Sequence, residues 1–237
     1  MKILLIVPCY NEEKRLDLES IEKSPSYVHF LFANDGSTDQ TQQLLDDLKI
    51  KDPRFDIYNS AVNVGKAGVL QAAFQWSLEN GMIENYDWIG FWDADLATPL
   101  EAVDQMLKYL ELYPNIEVDS IWGSRNSRLG SNIVRQKHRH YLGRIFVTLT
   151  SMILGVKAYD SQCGAKLFRK EASLIAFKDP FISRWIFDIE ILLRLKNKVV
   201  IEFPLLVWSD VPGSKVRVFK EIFRVFADII KIRKHYL

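Results

Sequence analysis

Apolar and polar positions fall into alternating blocks along the first half of the chain. Residues 2–8 (KILLIVP) form a continuous β-prone run, followed by polar Asn11-Glu12-Glu13 and then a helical stretch. The same order recurs, with 27–33 (YVHFLFA) before a helix over about 38–50, 55–61 before a helix over about 66–79, and 88–92 before a helix from Pro99 to about 112. Strands that are apolar throughout, separated by helices, predict an α/β fold with a mostly parallel central sheet flanked by helices. In such sheets ligands sit beyond the carboxyl ends of the strands. The polar clusters fall there: Asn11-Glu12, Asn34-Asp35-Gly36-Ser37, Asn63 with Gly65-Lys66, and Asp93 with Asp95. Four loops are therefore expected to converge on one crevice.

After about residue 125 the pattern changes. Arg125, Arg128, Arg135, Lys137, Arg139 and Arg144, with His138 and His140 between them, form a basic stretch that contains no acid. An apolar helix over 145–156, a strand over 163–169, a helix near 186–196, a strand over 199–207 and a final helix over about 216–235 follow. No Pro-rich linker, low-complexity segment or internal repeat interrupts the chain, so residues 1–237 read as one domain. Residues 1–125 form one half and residues 126–237 a specialised second half.

Composition narrows the classes. The chain has 237 residues, 48% hydrophobic and 26% charged, enough for a sizeable core. With 31 Lys and Arg against 30 Asp and Glu there is no global charge to attract nucleic acid. Cys9 and Cys163 stand far apart and suggest neither a metal cluster nor a disulfide framework, which fits a cytoplasmic protein. The apolar run at Ile3–Val7 is too short for a secretory signal. The longest other apolar stretch, Ile145–Val156, is about half of the roughly 20 residues a membrane-spanning helix needs.

The candidate chemistry begins at GFWDADLATP, residues 90–99. Asp93 alone could cap the next helix, and Thr98-Pro99 is a good cap and first turn by itself. Two acids one residue apart, directly after a buried strand, repel each other and call for a counter-ion. Hard oxygen ligands of this kind suit Mg²⁺ or Mn²⁺, whose coordination shell is usually completed by water and a ligand's phosphates. Asp35-Gly36 reads as a turn in which Ser37 or Thr38 caps the following helix. Gly65-Lys66 at a helix start offers N–H groups and a cation to an anion, without the spacing of a P-loop. Asp188 and Glu190 open another helix, where acids are favoured electrostatically in any case.

Taken in order, Val7-Pro8-Cys9-Tyr10-Asn11-Glu12, NDGSTD at 34–39, NVGKAG at 63–68 and DAD at 93–95 resemble the family 2 glycosyltransferases, which have the GT-A nucleotide-sugar-binding fold. In the second half GSR at 123–125, DSQCGAKLF at 160–168, RWIFDIEIL at 184–192 and GSK at 213–215 look like the dolichyl-phosphate β-glucosyltransferase branch, close to the dolichyl-phosphate mannose synthases. The resemblance implies that Pro8, Tyr10, Glu12 and Asp35 hold the nucleoside, that Lys66 lies near the nucleotide, and that Asp93 and Asp95 are catalytic and bind the metal, with Asp93 also touching the nucleotide-sugar. It further implies that Arg125 and the basic residues after it, Arg135 among them, face the acceptor phosphate. Asp188 would serve as base or orienter, and Gln162 and Lys215 would frame sugar and acceptor. The mannose synthases often carry a polar residue where this chain has Ala97, which favours the glucosyl branch. The glucosyl enzymes usually carry an N-terminal membrane anchor, for which this sequence offers no counterpart before its first strand.

The implied activity is an inverting, metal-dependent transfer of a hexose, glucose from UDP-glucose in the first instance, to a polyprenyl or dolichyl phosphate. A GDP-mannose donor, a non-lipid acceptor and a catalytically silent nucleotide-sugar-binding protein are the alternatives. The basic stretch and the apolar helix beside it suit a protein lying peripherally at the cytosolic membrane face and gripping an anionic lipid head. In the final helix, Phe219, Phe223, Phe226 and Ile230 recur at spacings of three and four. That stripe could pack on the sheet or lie in a membrane interface.

Overall fold

The structure is a computed structural model that describes residues 1–134, 147–211 and 218–237, with side chains of the last helix described from Arg224 onward. Arg135 and Lys215, together with Lys137, His138, Arg139, His140 and Arg144, lie outside the described residues.

The first half alternates as the pattern predicts: β1 (Ile3–Cys9), α1 (Leu18–Glu22), β2 (Val28–Asn34), α2 (Thr41–Lys51), β3 (Phe55–Asn59), α3 (Gly65–Glu79), β4 (Trp88–Trp92) and α4 (Glu101–Tyr109). β5 (Ser120–Ser124) and β6 (Asn132–Val134) follow, then the helical residues 147–154 (α5), β7 (Ala165–Arg169), α6 (Lys170–Ala176), α7 (Phe187–Arg194), β8 (Val200–Pro204), β9 (Val207–Ser209) and α8 (Val218–Tyr236).

The main sheet runs β3-β2-β1-β4-β7-β5-β8. β1 is parallel to β2 and β4, while β7 runs antiparallel between β4 and β5. Register places the functional ends. Cys9 pairs with Asn34 and Ile6 with Phe91, so β1, β2 and β4 release their loops at the same edge.

Both faces of the sheet are covered, which is why its central strands carry no polar face. On one side Leu5, Val7, Phe30 and Phe32 pack with Leu45, Leu48, Val103 and Met106. On the other, Leu4, Ile6, Leu31 and Phe168 pack with Leu70, Phe74, Phe187 and Ile191. A third cluster joins Leu154, Ile186, Ile189 and Leu193 to Ile229 and Ile232 of α8. The final helix is thus divided: Ile229 and Ile232 are buried, whereas Phe226 and Ile230 are 42% and 54% exposed.

Several local expectations are corrected. The expected strand over 199–207 breaks after Pro204 into β8 and β9, which belong to different sheets. The helix expected from Pro99 begins at Glu101, and its last turn tightens into a 3₁₀ segment, Leu110–Leu112. Thr98 does not cap it; the Thr98 carbonyl instead accepts from the Trp92 indole at 2.8 Å. Ser37 and Thr38 do not cap α2 either: the cap position is Gln40, whose side chain makes no capping bond, and Asp39 before it accepts from the Thr41 N–H at 3.0 Å.

Candidate active site

The loops that leave β1, β2, β3 and β4 are tied to one another in a closed ring. The Asn11 N–H donates to Ser37 Oγ at 3.0 Å and the Thr38 N–H to Asn11 Oδ1 at 2.8 Å, joining the first loop to the second. The Glu12 N–H adds a bond to Thr41 Oγ1 at 2.8 Å. Asp35 joins the second loop to the third by accepting the Val64 and Gly65 N–H groups at 2.7 and 2.8 Å. Its turn requires Gly36, which sits at φ 66°, where a side chain would also meet the Val62 backbone at 2.9 Å.

Lys66, in the first turn of α3, closes the third loop onto the fourth through Asp93 Oδ1 at 2.6 Å. Arg15 completes the circuit, with Nη2 donating to Asp95 Oδ2 at 2.8 Å. Its Nη1 stands 3.5 Å from Glu12. The two acids that should repel each other are therefore each faced by a cation from a different loop. Directly after them Leu96 adopts φ 46°, rare for a leucine, in a turn closed by its N–H to the Asp93 carbonyl at 3.1 Å. The Ala97 N–H reaches Asp95 Oδ1 at 3.2 Å.

The two carboxyls differ electrostatically. Burial would raise Asp93, but Lys66 outweighs it, with Lys166 and Arg125 adding to the effect, and holds the group below the usual range. Burial and the neighbouring Asp93 push Asp95 upward, and the Ala97 N–H and Arg15 offset this only in part. Burial would lower the Lys66 ammonium, yet Asp93 and Asp188 hold it above its ordinary value. Asp93 also leans on the backbone at the start of β7. A Cβ on Gly164 would come within 1.8 Å of Asp93 Oδ2, so only glycine leaves room for that carboxylate.

The second half supplies another group of charges, and most of them are internally paired. Arg125 meets Asp160 through Nε at 2.6 Å and Nη2 at 2.7 Å, and its backbone N–H bonds the same carboxylate at 2.9 Å. Burial would lower the Arg125 guanidinium, but Asp160 keeps it raised. Asp188 is buried, with Oδ1 accepting from Lys166 at 2.6 Å and Oδ2 from Gln162 at 3.2 Å. Lys166 is fully buried between the Trp122 and Phe91 rings, 4.5 and 4.9 Å from their centroids, and also donates to the Cys163 carbonyl. Glu190 accepts the Ile182 and Ser183 N–H groups at 2.9 and 2.8 Å. Nearby, Arg184 reaches across to the Val64 carbonyl at 3.0 Å and so braces the third loop.

Of the sequence-predicted residues, Lys66 meets Asp93 directly, Asp95 is held by Arg15 beside Glu12, Asp35 joins them through the Gly65 backbone, and Tyr10 is exposed. Pro8 lies at the end of β1, next to Ala33 in register. Gln162 and Asp188 contact each other. Sequence reasoning placed Asn11 at the crevice and Asp160, Gly164 and Lys166 within a motif without giving any of them a role of its own, and it missed Arg15. The one available signal was that Arg15 lies in the same polar loop as Asn11 and Glu12.

The donor set fits a hard divalent cation. Asp93 and Asp95 present carboxylate oxygens, and the site already stabilises positive charge in the form of Lys66 and Arg15. Among the described residues no group of three or more His, Cys, Asp or Glu side chains could hold a metal. Two carboxylates would therefore leave the remaining positions to water and phosphate oxygens.

Known proteins resemble the chain over most of its length. The profile of Glycosyl transferase family 2 matches residues 4–174. A dolichyl-phosphate beta-glucosyltransferase of Dictyostelium discoideum is 30% identical over 252 residues, covering 98% of this chain and 74% of the relative. The human protein of the same name is 28% identical over 256 residues, covering 100% of this chain and 76% of its own length. Among solved structures, glucosyl-3-phosphoglycerate synthase from Mycobacterium tuberculosis, in complex with Mn²⁺, UDP and glucosyl-3-phosphoglycerate, superimposes with a TM-score of 0.64 at 16% identity, covering 98% of this chain and 80% of that one. The fold is GT-A-like, as the sequence led us to expect.

Proposed function

Because the chain belongs to glycosyl transferase family 2, we propose that it transfers glucose from UDP-glucose to a dolichyl or other polyprenyl phosphate, with inversion at the anomeric carbon. The single observation that carries the reading is the closed ring of loops with Asp93 and Asp95 at its fourth station. The names of the relatives support glucose and dolichyl phosphate, and the Mn²⁺ in the Mycobacterium tuberculosis synthase supports a divalent ion.

In this reading residues 1–125 form the donor half and 126–237 the acceptor half. Pro8, Tyr10, Glu12 and Asp35 hold the nucleoside, with Asp35 acting largely by fixing the third loop. Asp93 and Asp95 would hold Mg²⁺ or Mn²⁺, which when bound would neutralise charge on the departing diphosphate. Lys66, at the start of α3, adds a cation beside the same diphosphate. An acceptor phosphate oxygen attacks the anomeric carbon from the face opposite UDP; the new C–O bond forms as the bond to the diphosphate oxygen breaks.

A phosphate monoester is already largely ionised near neutral pH, so the step needs no strong base. Asp188, with both oxygens engaged by Lys166 and Gln162, acts as an orienter that aims Gln162 toward the sugar. Arg125, fixed by Asp160, places positive charge on the acceptor side; Arg135 and Lys215, outside the described residues, are assigned to the acceptor by the family resemblance alone. Electrostatic positioning is thus the main expected contribution. Among the described residues no helix is long and apolar enough to cross a membrane. We place the protein peripherally at the cytosolic face, with exposed Phe226 and Ile230 of α8 toward the lipid.

The test is transfer from radiolabelled UDP-glucose and GDP-mannose to a short polyprenyl phosphate in the presence of Mn²⁺. Glucose transfer is expected from UDP-glucose, and Asp95→Asn should slow it by about 100-fold or more. Unchanged turnover in that variant would remove the proposed mechanism.

A further inference from the structure

The geometry points to Arg15 as an internal counter-cation that holds the divalent ion's place at Asp95 and leaves it when a nucleoside diphosphate enters, so that metal and diphosphate bind as a coupled pair. The inference rests on the metal reading given above and extends it to a residue with no role there.

Three observations support it. First, Asp95 Oδ2, an oxygen a metal would need, is engaged by Arg15 Nη2 at 2.8 Å. A dication approaching that carboxylate must displace a cation already bound. Second, Arg15 is not deeply seated. Its side chain is 19% exposed and that of Asp95 22%, so the pair lies within reach of an entering ligand. Third, Arg15 Nε is buried with no hydrogen-bond partner, so the guanidinium leaves a donor unused where it stands. A planar fork with an idle donor matches the paired oxygens of a diphosphate better than it matches one carboxylate oxygen.

Lys66 differs in this respect. It rises from the first turn of α3, where Asp35 fixes the Gly65 backbone, and it can serve a diphosphate from nearly the same position. Arg15 is carried by a loop turn closed by its N–H to the Glu12 carbonyl at 2.9 Å. Moving Arg15 from Asp95 to the diphosphate frees a carboxylate for the metal and adds a cation to the nucleotide in one rearrangement. By linkage, each ligand then raises the affinity of the other by the same factor.

The test is Mn²⁺ binding, measured by electron paramagnetic resonance of the free ion, with and without saturating UDP and with no acceptor present. Wild type should bind Mn²⁺ weakly alone and at least tenfold more tightly with UDP. In Arg15→Met, Mn²⁺ alone should bind about tenfold more tightly than in wild type, and the gain from UDP should fall below about threefold. Arg15→Gln provides the same comparison should the methionine variant fail to fold. If wild type binds Mn²⁺ and both variants keep its affinity and its UDP gain, Arg15 has no such role and the metal reading stands. If neither wild type nor variant binds Mn²⁺ under either condition, both ideas fall.

Discussion

The two halves of the molecule contain ion pairs of nearly the same length in very different surroundings. At the loop ring, Lys66 meets Asp93 at 2.6 Å with side chains 35% and 40% exposed, and Arg15 meets Asp95 at 2.8 Å with 19% and 22% exposed. In the second half Lys166 meets Asp188 at 2.6 Å with 0% and 5% exposed, and Arg125 meets Asp160 at 2.6 Å with 12% and 8%. Distance alone would rank them as equals. Their surroundings separate them, because a partly wet pair can exchange its partner for a ligand at small cost, whereas a dry pair that loses one member leaves a buried charge without compensation. The first group is therefore suited to binding and release, and the second to holding the frame in which binding happens.

Removing the same residue type from each group tests that division most strongly. Lys166→Met should destabilise the fold by about 3–5 kcal/mol, since Asp188 is left charged and buried, and adding Asp188→Asn should recover a large part of the loss. Lys66→Met should change stability by about 1 kcal/mol or less while sharply reducing glucosyl transfer. Denaturant unfolding at neutral pH gives both numbers. Equal losses for the two lysines would abolish the distinction between the groups.

The same contrast explains what could be read from the chain beforehand. The strands and helices from Ile3 to Tyr109 were legible because each is a local pattern bounded by polar loops. β5 was not, since SIWGS mixes serine and glycine into a strand whose burial comes from its neighbours in the sheet. α6 was missed because Lys170 follows directly on β7 with no turn residue to mark the change. The acids at 93 and 95, Asp35 and Lys66 stood out as polar residues after apolar strands. Lys166 gave the opposite impression. A lysine within AKLF reads as a solvent-facing position, and the countercharge that makes its burial tolerable is Asp188, 22 residues on. Arg15 likewise has its meaning in a partner 80 residues away, a distance no local pattern spans.

Gly164 is where the two groups touch, so its substitution tests the boundary rather than either side. A methyl group there would lie 1.8 Å from Asp93 Oδ2, and the carboxylate or the start of β7 must give way. Gly164→Ala should cost about 1–3 kcal/mol, in the range of overpacked interiors, and should weaken Mn²⁺ binding because Asp93 is displaced. Thermal unfolding and the same resonance measurement test this. A variant with wild-type stability and metal affinity would show that the site has slack at this point.

The smallest effect is expected at the fully wet end of the scale. Asp17 caps α1, accepting from the Ser20 hydroxyl at 2.7 Å and the Ser20 N–H at 3.1 Å, and these bonds hold its carboxyl below the ordinary aspartate range. A folded-state value below the unfolded one means that the unfolded chain takes up a proton first as the solution is acidified. The capping contribution is therefore complete above the ordinary aspartate value and disappears as pH falls through the lowered one. Asp17→Ala should cost about 1 kcal/mol at pH 7, and the gap to wild type should close at the acid end of a melting-temperature series. Salt should reduce it only slightly, because the bonds run to a backbone N–H and a hydroxyl rather than to a distant charge. A gap that persists undiminished below the lowered value would mean that Asp17 stabilises α1 by something other than its charge.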